Sequence, residues 1–168
     1  GFVPNCKLPD VYDDVLDGAE YDVVIIGAGI CGAAVARQLS KWKLKVALLE
    51  KDYDVALGAS SRNDGCVHVG IDLHRNTQKL RYTIPGNEMY TEMCKDLDVK
   101  FERTGHMLLF YRKWERVLAP AFKIQAKLLG VKGLRYETRE QLLRHEPYIP
   151  SWSQGGIFMP TGGIVSPY

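Results

Sequence analysis

The chain has 168 residues, enough for one domain with a sizeable core. It carries 22 basic and 20 acidic residues, a net charge of +2, so bulk electrostatics does not favour nucleic-acid binding. No apolar run approaches the roughly 18 residues of a membrane-spanning helix. The four cysteines are far apart and show neither a CxxC pair nor a zinc-ligand spacing, so we expect no metal site and a reducing compartment.

A glycine-rich turn follows the first apolar run of the chain. Residues 23–26, VVII, predict a strand buried on both faces of a parallel sheet. In the next six residues, GAGICG, Gly27 allows a tight turn and Gly29 lets a pyrophosphate approach the backbone. Gly32 lets the following helix pack close to the strand, and Cys31 is expected to be a small buried residue of the turn. The pattern is typical of a dinucleotide-binding turn, although a glycine turn in another kind of α/β protein remains the alternative.

A helix and a second strand complete this unit. The small and apolar residues of 30–40 predict a helix that packs on a sheet, and residues 44–49 predict a second buried strand. Glu50 ends that strand, 18 residues after Gly32, where an acid can accept hydrogen bonds from a ribose. An acid there would repel a 2′-phosphate, which argues against NADP. The unit does not separate NAD from FAD, and a solvated acid is the simpler alternative for Glu50.

A loop rich in small and polar residues comes next, GASSRNDG at 58–65. Ser60 or Ser61 is predicted to cap a short helix, whose N–H groups would be further donors to a pyrophosphate. An ordinary polar loop is an equally good interpretation.

The remaining segments carry signals for individual elements. We expect a lead-in helix or loop at 9–20, a helix over 76–97 that Pro85 and Gly86 kink or break, and two strands within 99–112. A helix over 114–129 should have its main segment begin at Pro120. Thr138 and Gln141 form a capping box for a short helix that ends before Pro147. Residues 155–168 combine a short strand with glycine turns.

The segments GAGICGAAVARQLS, LLEK and GASSRNDGCVHVGID resemble the FAD-binding start of the D-amino-acid-oxidase-type flavoprotein superfamily. Within it, the chain is most similar to flavin-dependent glycerol-3-phosphate dehydrogenases and their 2-hydroxyglutarate-oxidising relatives. Asp64, Cys66 and Val69 depart from the pattern of those relatives. The extra negative charge of Asp64 disfavours phosphate contact at that position unless its side chain points to solvent.

The resemblance implies FAD as cofactor and assigns roles to particular residues. The residues implied to line the pyrophosphate are Gly27, Gly29, Ile30, Cys31 and Gly32. Glu50 would hold the adenosine ribose, with Lys51 beside it. Ser60, Ser61 and Asn63 would contact the pyrophosphate or the ribityl chain. Gly65 and His68 would lie near the isoalloxazine, and His68 is the nominated base; the alternative is that it packs under the ring or bonds a carbonyl.

The fold class expected from these observations is α/β: a Rossmann-like FAD-binding βαβ unit with part of an α+β substrate domain. We divide the chain into a lead-in at 1–20, an FAD-binding portion at 21–98 and the beginning of a substrate domain at 99–168. Two strands and one helix do not bury both faces of such a sheet. The chain is therefore expected to be an incomplete, N-terminal part of a longer enzyme.

The resemblance implies FAD-dependent oxidation of glycerol 3-phosphate to dihydroxyacetone phosphate, with a quinone or another carrier as electron acceptor. The alternatives are a related flavoenzyme acting on 2-hydroxyglutarate or an amino acid, and a non-catalytic dinucleotide-binding fragment. We expect an intracellular, cytoplasmic location, with a peripheral membrane or mitochondrial one as alternatives. Any membrane contact is expected from parts outside this chain.

Overall fold

The structure is a computed structural model, and it describes residues 18–166. Most of the predicted lead-in segment lies outside the described residues. The described chain forms two compact units, one that ends at Asn63 and one from Asp64 to Ser166. This division reflects packing, and the functional boundary that we place between residues 98 and 99 stays a prediction.

The first unit contains the predicted strand, helix and strand. Strand β1 is Val23–Ile26, helix α1 is Ile30–Leu39 and strand β2 is Val46–Leu49. The two strands pair in parallel from Val23 opposite Val46 to Ile26 opposite Leu49, and α1 packs against both. The parallel crossover through a helix confirms the Rossmann-like βαβ unit.

Burial of the two strands on both faces is not what the structure shows. Ile26 is 87% exposed and Leu49 is also exposed. The helix α1 itself has no buried residue, and Cys31 is exposed rather than buried. The physical reason is that α1 is the one helix of this unit among the described residues, and a single helix covers one face of a two-stranded sheet.

The second unit is built from two antiparallel sheets and three helices. Its strands are β3 (Cys66–Val67), β4 (Phe101–Glu102), β5 (His106–Leu109), β6 (Arg135–Glu137), β7 (Gly156–Met159) and β8 (Gly163–Val165). Its helices are α2 (Gln78–Asp96), α3 (Ala119–Leu129) and α4 (Arg139–Leu142). The strand orders are β3-β8-β4 and β5-β7-β6. The described chain is thus mixed α/β, as predicted.

The core of the second unit lies around the central strand β7. Ile157 is fully buried, and Phe110, Leu129 and Met159 belong to the same cluster. A second cluster joins Leu142 of α4 to Phe158 on the other side of the strand. Alternate residues of β7 therefore enter two cores, as the two faces of a pleated strand require.

Several local predictions are confirmed, and the break expected in α2 does not occur. Pro120 stands in the first turn of α3, and Thr138 and Gln141 form both hydrogen bonds of a capping box at α4. Helix α2, however, continues through Pro85 without a break. Its residues on either side of the proline are held from outside the helix: Ile84 packs against the core, and the Asn87 side chain bonds to two other segments. Tertiary contacts thus offset the hydrogen bond that proline removes.

Candidate dinucleotide site

The turn that leaves β1 requires glycine at two places. Gly27 has a φ of +96°, which L side chains rarely adopt, and its N–H donates to the Leu49 carbonyl at 2.7 Å. A Cβ on Gly32 would collide with the Gly27 carbonyl oxygen. The first glycine therefore allows the chain to reverse, and the last lets α1 begin directly against the turn.

The N-terminus of α1 is capped from a distant part of the chain. Gly29 stands at the cap position and has no side chain to offer, and the Ile30 N–H donates to the Ser60 Oγ at 2.9 Å. The first turn carries no acid, so the positive end of the helix dipole is not neutralised by its own side chains. Such a terminus favours an anion.

The predicted capping role of Ser60 and Ser61 in a local helix is wrong. A short 3-10 turn does form at Ala59–Ser61, but it begins after Gly58 without a side-chain cap. Ser60 caps α1 instead, while the Ser61 Oγ donates to the Ala56 carbonyl at 2.8 Å. The Asn63 amide donates to the Ala59 and Ser60 carbonyls. The Ser61 and Asn63 side chains therefore stabilise the conformation of the loop.

Glu50 lies at the end of β2 and accepts three backbone hydrogen bonds. One oxygen accepts from the Ala28 N–H at 2.8 Å, and the other accepts from Lys51 at 2.8 Å and from Asp52 at 3.2 Å. These donors, the Ala28 N–H foremost, lower the pKa of the Glu50 carboxyl below its usual value. The carboxylate is therefore ionised at neutral pH and fixed beside the glycine turn. The Lys51 ammonium pairs with Asp52 at 3.1 Å.

A cavity of about 550 Å³ opens between the glycine turn, the end of β2 and the Ser60 loop. The predicted residues that line it are Gly27, Gly29, Glu50, Lys51 and Ser60. The other predicted residues belong to the same unit but do not line the cavity: Ile30, Cys31, Gly32, Ser61 and Asn63. The donor set fits the ADP half of a dinucleotide, because an anion-favouring helix end lies beside an ionised ribose acceptor.

Gly65 and His68 lie in the second unit. Gly65 is buried, and its carbonyl accepts from the Val165 N–H at 2.9 Å. The His68 side chain is exposed and contributes to a separate cavity of about 490 Å³, which Lys79 also lines. Its main-chain carbonyl accepts from the Asn87 amide at 2.8 Å. The backbone at His68 is therefore fixed while its imidazole faces open space.

A second histidine, His106, lies beside His68, and no sequence motif surrounds it. The His106 ring lies edge-on to the His68 ring with centroids 6.1 Å apart, and its Nε2 is 3.2 Å from the Cys66 Sγ. Burial, and then the charge of His68, lower the pKa of His106. Burial, and then Asp64, raise the pKa of the Cys66 thiol. His106 and Cys66 therefore favour their neutral forms near neutral pH.

A polar network around the buried Asn87 side chain was not predicted from the sequence. The Asn87 amide donates to the His68 carbonyl and, at 2.9 Å, to the Thr161 carbonyl. The Arg103 guanidinium donates to the Asn87 Oδ1 at 2.8 Å and to the Asn87 carbonyl at 2.6 Å. An asparagine after Gly86 on the inner face of α2 was the available signal. Its partners, 19 and 74 residues away, were not readable from local pattern.

Across residues 18–166, no three His, Cys, Asp or Glu side chains come together in a way that could hold a metal ion. None of the helices in that range has the length and apolar character needed to cross a bilayer.

The glycine turn, the crossover helix and the acid after β2 define a dinucleotide-binding α/β protein. The sequence pattern of the DAO family, described as "FAD dependent oxidoreductase", matches residues 22–168. The chain therefore belongs to that family, and FAD is the cofactor of the family. The predicted superfamily resemblance is confirmed.

The chain is similar to several dehydrogenases and oxidases that are named for different substrates. Glycerol 3-phosphate dehydrogenase of Caloramator mitchellensis is 36% identical over 148 residues, covering 88% of this chain and 31% of that protein. The mitochondrial L-2-hydroxyglutarate dehydrogenase of Dictyostelium discoideum is 33% identical over 150 residues, covering 86% and 33%. FAD-bound L-alpha-glycerophosphate oxidase of Mycoplasma pneumoniae superposes with a TM-score of 0.73 at 25% identity, covering 88% and 39%. The chain spans about a third of the length of these curated relatives.

Proposed function

We propose that this chain is the dinucleotide-binding part of an FAD-dependent dehydrogenase that oxidises glycerol 3-phosphate to dihydroxyacetone phosphate. The observation that carries the proposal is the 36% identity with a glycerol 3-phosphate dehydrogenase across 88% of the chain. A glycerol 3-phosphate oxidase of Mycoplasma pneumoniae is 30% identical over a similar range and supports the same substrate.

Residues of the first unit would hold the cofactor. The backbone of Gly27, Gly29, Ile30, Cys31 and Gly32 would face the pyrophosphate, at the end of α1 where the first-turn N–H groups have no partner within the helix. Glu50 would accept the ribose hydroxyls, and Lys51 would lie at the rim. The Ile30 N–H, which donates to the Ser60 Oγ, would also donate to a phosphate oxygen. Ser61 and Asn63 would hold the loop in place around the pyrophosphate or ribityl chain.

Residues of the second unit would act on the substrate side. Bound FAD supplies a two-electron acceptor for the hydride that leaves the 2-carbon of the substrate. His68 would take the proton of the 2-hydroxyl, so that the alcohol loses one hydride and one proton and becomes the ketone. Gly65 would bring the main chain near the isoalloxazine. A quinone or another carrier would then accept the electrons, in a cytoplasmic protein.

The test is anaerobic flavin bleaching by the full-length protein with glycerol 3-phosphate, 2-hydroxyglutarate and glycine in parallel. We expect glycerol 3-phosphate to bleach the flavin fastest. We expect His68→Gln to slow that step at least a hundredfold, by loss of the base, with His74→Gln as a matched exposed-histidine control. Equal rates in the two variants would remove His68 from the mechanism.

A second candidate is a dehydrogenase of 2-hydroxyglutarate or of an amino acid. The 33% identity with an L-2-hydroxyglutarate dehydrogenase favours the first of these. Selective bleaching by 2-hydroxyglutarate would establish it in place of glycerol 3-phosphate. A protein that binds FAD but is bleached by none of the three substrates would support a non-catalytic dinucleotide-binding module.

A further inference from the structure

The pairing between β3 and β8 stops just before His68. Val67 lies opposite Gly163, and in an antiparallel register the next residues to face each other would be His68 and Gly162. The Gly162 N–H donates instead to the Met159 carbonyl at 3.2 Å, so the two chains part at this point. The strand ladder therefore supplies no donor to the His68 carbonyl, whose place must be fixed by another part of the unit.

The Asn87 side chain takes over where the strand ladder ends. Its amide has two N–H groups and donates them to the His68 carbonyl at 2.8 Å and to the Thr161 carbonyl at 2.9 Å. Thr161 directly precedes Gly162, so one amide bridges the two segments where they part. Asn87 is 6% exposed and lies within α2. Because water is excluded there, both bonds are stronger than exposed ones and tie the main chain of His68 to the helix.

The Arg103 guanidinium determines which way the Asn87 amide faces. It donates to the Asn87 Oδ1 at 2.8 Å and also to the Thr161 carbonyl. A guanidinium only donates, so the amide oxygen must face it and the amide nitrogen must face the two carbonyls. Arg103 is itself held by the Thr91 hydroxyl at 3.1 Å and by the Phe101 ring, whose centroid lies 4.8 Å away. The amide is therefore fixed in the orientation that holds His68.

The same segment also supports the ring beside His68. The His106 ring lies edge-on to the His68 ring, with centroids 6.1 Å apart. A Cβ on Gly162 would lie only 2.5 Å from the His106 ring, so that ring packs directly on the main chain next to Thr161. The main chain of His68 and the neighbour of its imidazole are thus both placed by residues 161–162.

We infer that Asn87 is a positioning residue that acts through His68. The inference rests on the proposed function, in which His68 takes the proton of the substrate hydroxyl. A general base must come within about 2.6–3.2 Å of that hydroxyl, and a displacement of about 1 Å can cost about a hundredfold in rate. All the contacts that place His68 join residues of the second unit. Asn87 keeps the main chain of the base in place while its imidazole meets the substrate.

The first test is Asn87→Asp in the full-length holoenzyme. The carboxylate keeps the shape and the Arg103 contact, but an oxygen replaces the donor and repels the two carbonyls. We expect the limiting rate of anaerobic flavin reduction, with the substrate that bleaches fastest, to fall at least tenfold. The half-saturating substrate concentration should change less than threefold. Leu142→Ala, in the other core cluster of the same unit, is the matched control. It should lower the urea midpoint of unfolding and keep the rate within threefold, and equal rate losses in both variants would overturn the inference.

The second test separates action through His68 from any other effect. In a His68→Gln background, Asn87→Asp should reduce the rate less than a further twofold, because the residue through which it acts is already gone. An unchanged tenfold loss in that background would overturn the inference. If Asn87→Asp does not fold, Arg103→Lys takes its place, since it keeps the charge and loses the fork that orients the amide.

A third measurement places His68 directly and does not depend on turnover. In protein labelled only at histidine, the His68 ring signal is the nuclear magnetic resonance signal that His68→Gln lacks. We expect Asn87→Asp to shift it and Leu142→Ala to leave it in place. A His68→Gln variant that reduces flavin at the wild-type rate would refute the proposed function alone. An unmoved His68 signal in Asn87→Asp would refute the positioning role, whatever the rates.

Discussion

The two units of this chain use the same kind of strand residue in opposite ways. Ile26 in β1 is 87% exposed, whereas Ile157 in β7 is fully buried. Around β1 the main chain and Glu50 border an open cavity. Around β7, side chains of α2, α3, α4, β5 and β6 pack in the two core clusters. The first unit therefore leaves apolar strand residues exposed beside a cavity, whereas the second unit buries its central strand among its own residues. Matched substitutions in the two units test this contrast.

The largest effect is expected at the glycine turn. Gly32→Ala places a methyl group against the Gly27 carbonyl, so the turn or α1 must move and the phosphate-facing N–H groups with it. We expect FAD affinity to fall at least a hundredfold, measured by fluorescence titration of the apoprotein. Gly86→Ala, where a Cβ has open space, is the control and should leave FAD affinity unchanged. Retained affinity in Gly32→Ala would show that close helix contact is dispensable.

The next largest effect is expected from a comparison of the two isoleucines, which differ in burial. Ile157→Ala should lower the free energy of unfolding by about 3 kcal/mol, because it leaves a cavity in a packed core. Ile26→Ala should lower it by less than about 0.5 kcal/mol, since that side chain is already in water. Urea denaturation followed by circular dichroism measures both. A large loss from Ile26→Ala would show that its side chain is buried in solution.

Glu50→Gln should weaken FAD binding about tenfold, because a charged acceptor of the ribose hydroxyls becomes a neutral amide. The same change should alter the acid response of the first unit. The folded-state pKa of Glu50 is lowered, so its stabilisation is complete above the usual pKa of 4.5 and is lost as the pH falls through the lower value. The difference in stability between wild type and variant should therefore shrink on acidification. A difference that grows at low pH would contradict the assigned hydrogen bonds.

The smallest effect concerns a cap in the second unit. Thr138→Ala removes the side-chain acceptor of the Gln141 N–H in the capping box of α4. We expect about 1 kcal/mol less stability, with FAD affinity unchanged. Thr138→Ser keeps the hydroxyl and should retain most of the stability in the same denaturation measurement.

Elements specified by neighbouring residues could be predicted from the sequence. The glycine turn after β1, Pro120 at the start of α3 and the capping box at Thr138 each depend on residues within one or two turns. The ionised acid at Glu50 was predictable because its distance from the glycines is set by the helix and strand between them.

Features that depend on distant partners could not be predicted. Ser60 caps a helix that begins 30 residues earlier, and Asn87 bonds to a carbonyl 74 residues later. The burial expected of Ile26 and Cys31 assumed covering elements that the described residues do not supply. The continuity of α2 through Pro85 depended on tertiary contacts that override local propensity.

The order of strands in the second unit has a consequence for synthesis on the ribosome. Among residues 18–166, the central strands of its two sheets, β7 and β8, follow all the strands with which they pair. Cys66 pairs with Ile164, so about 100 residues, or on the order of 5–20 s of synthesis, separate the emergence of the two partners. Until then β3, β4, β5 and β6 lack their native partners. During this interval the unpaired edges of these four strands are open to wrong strand pairing, which a chaperone would prevent.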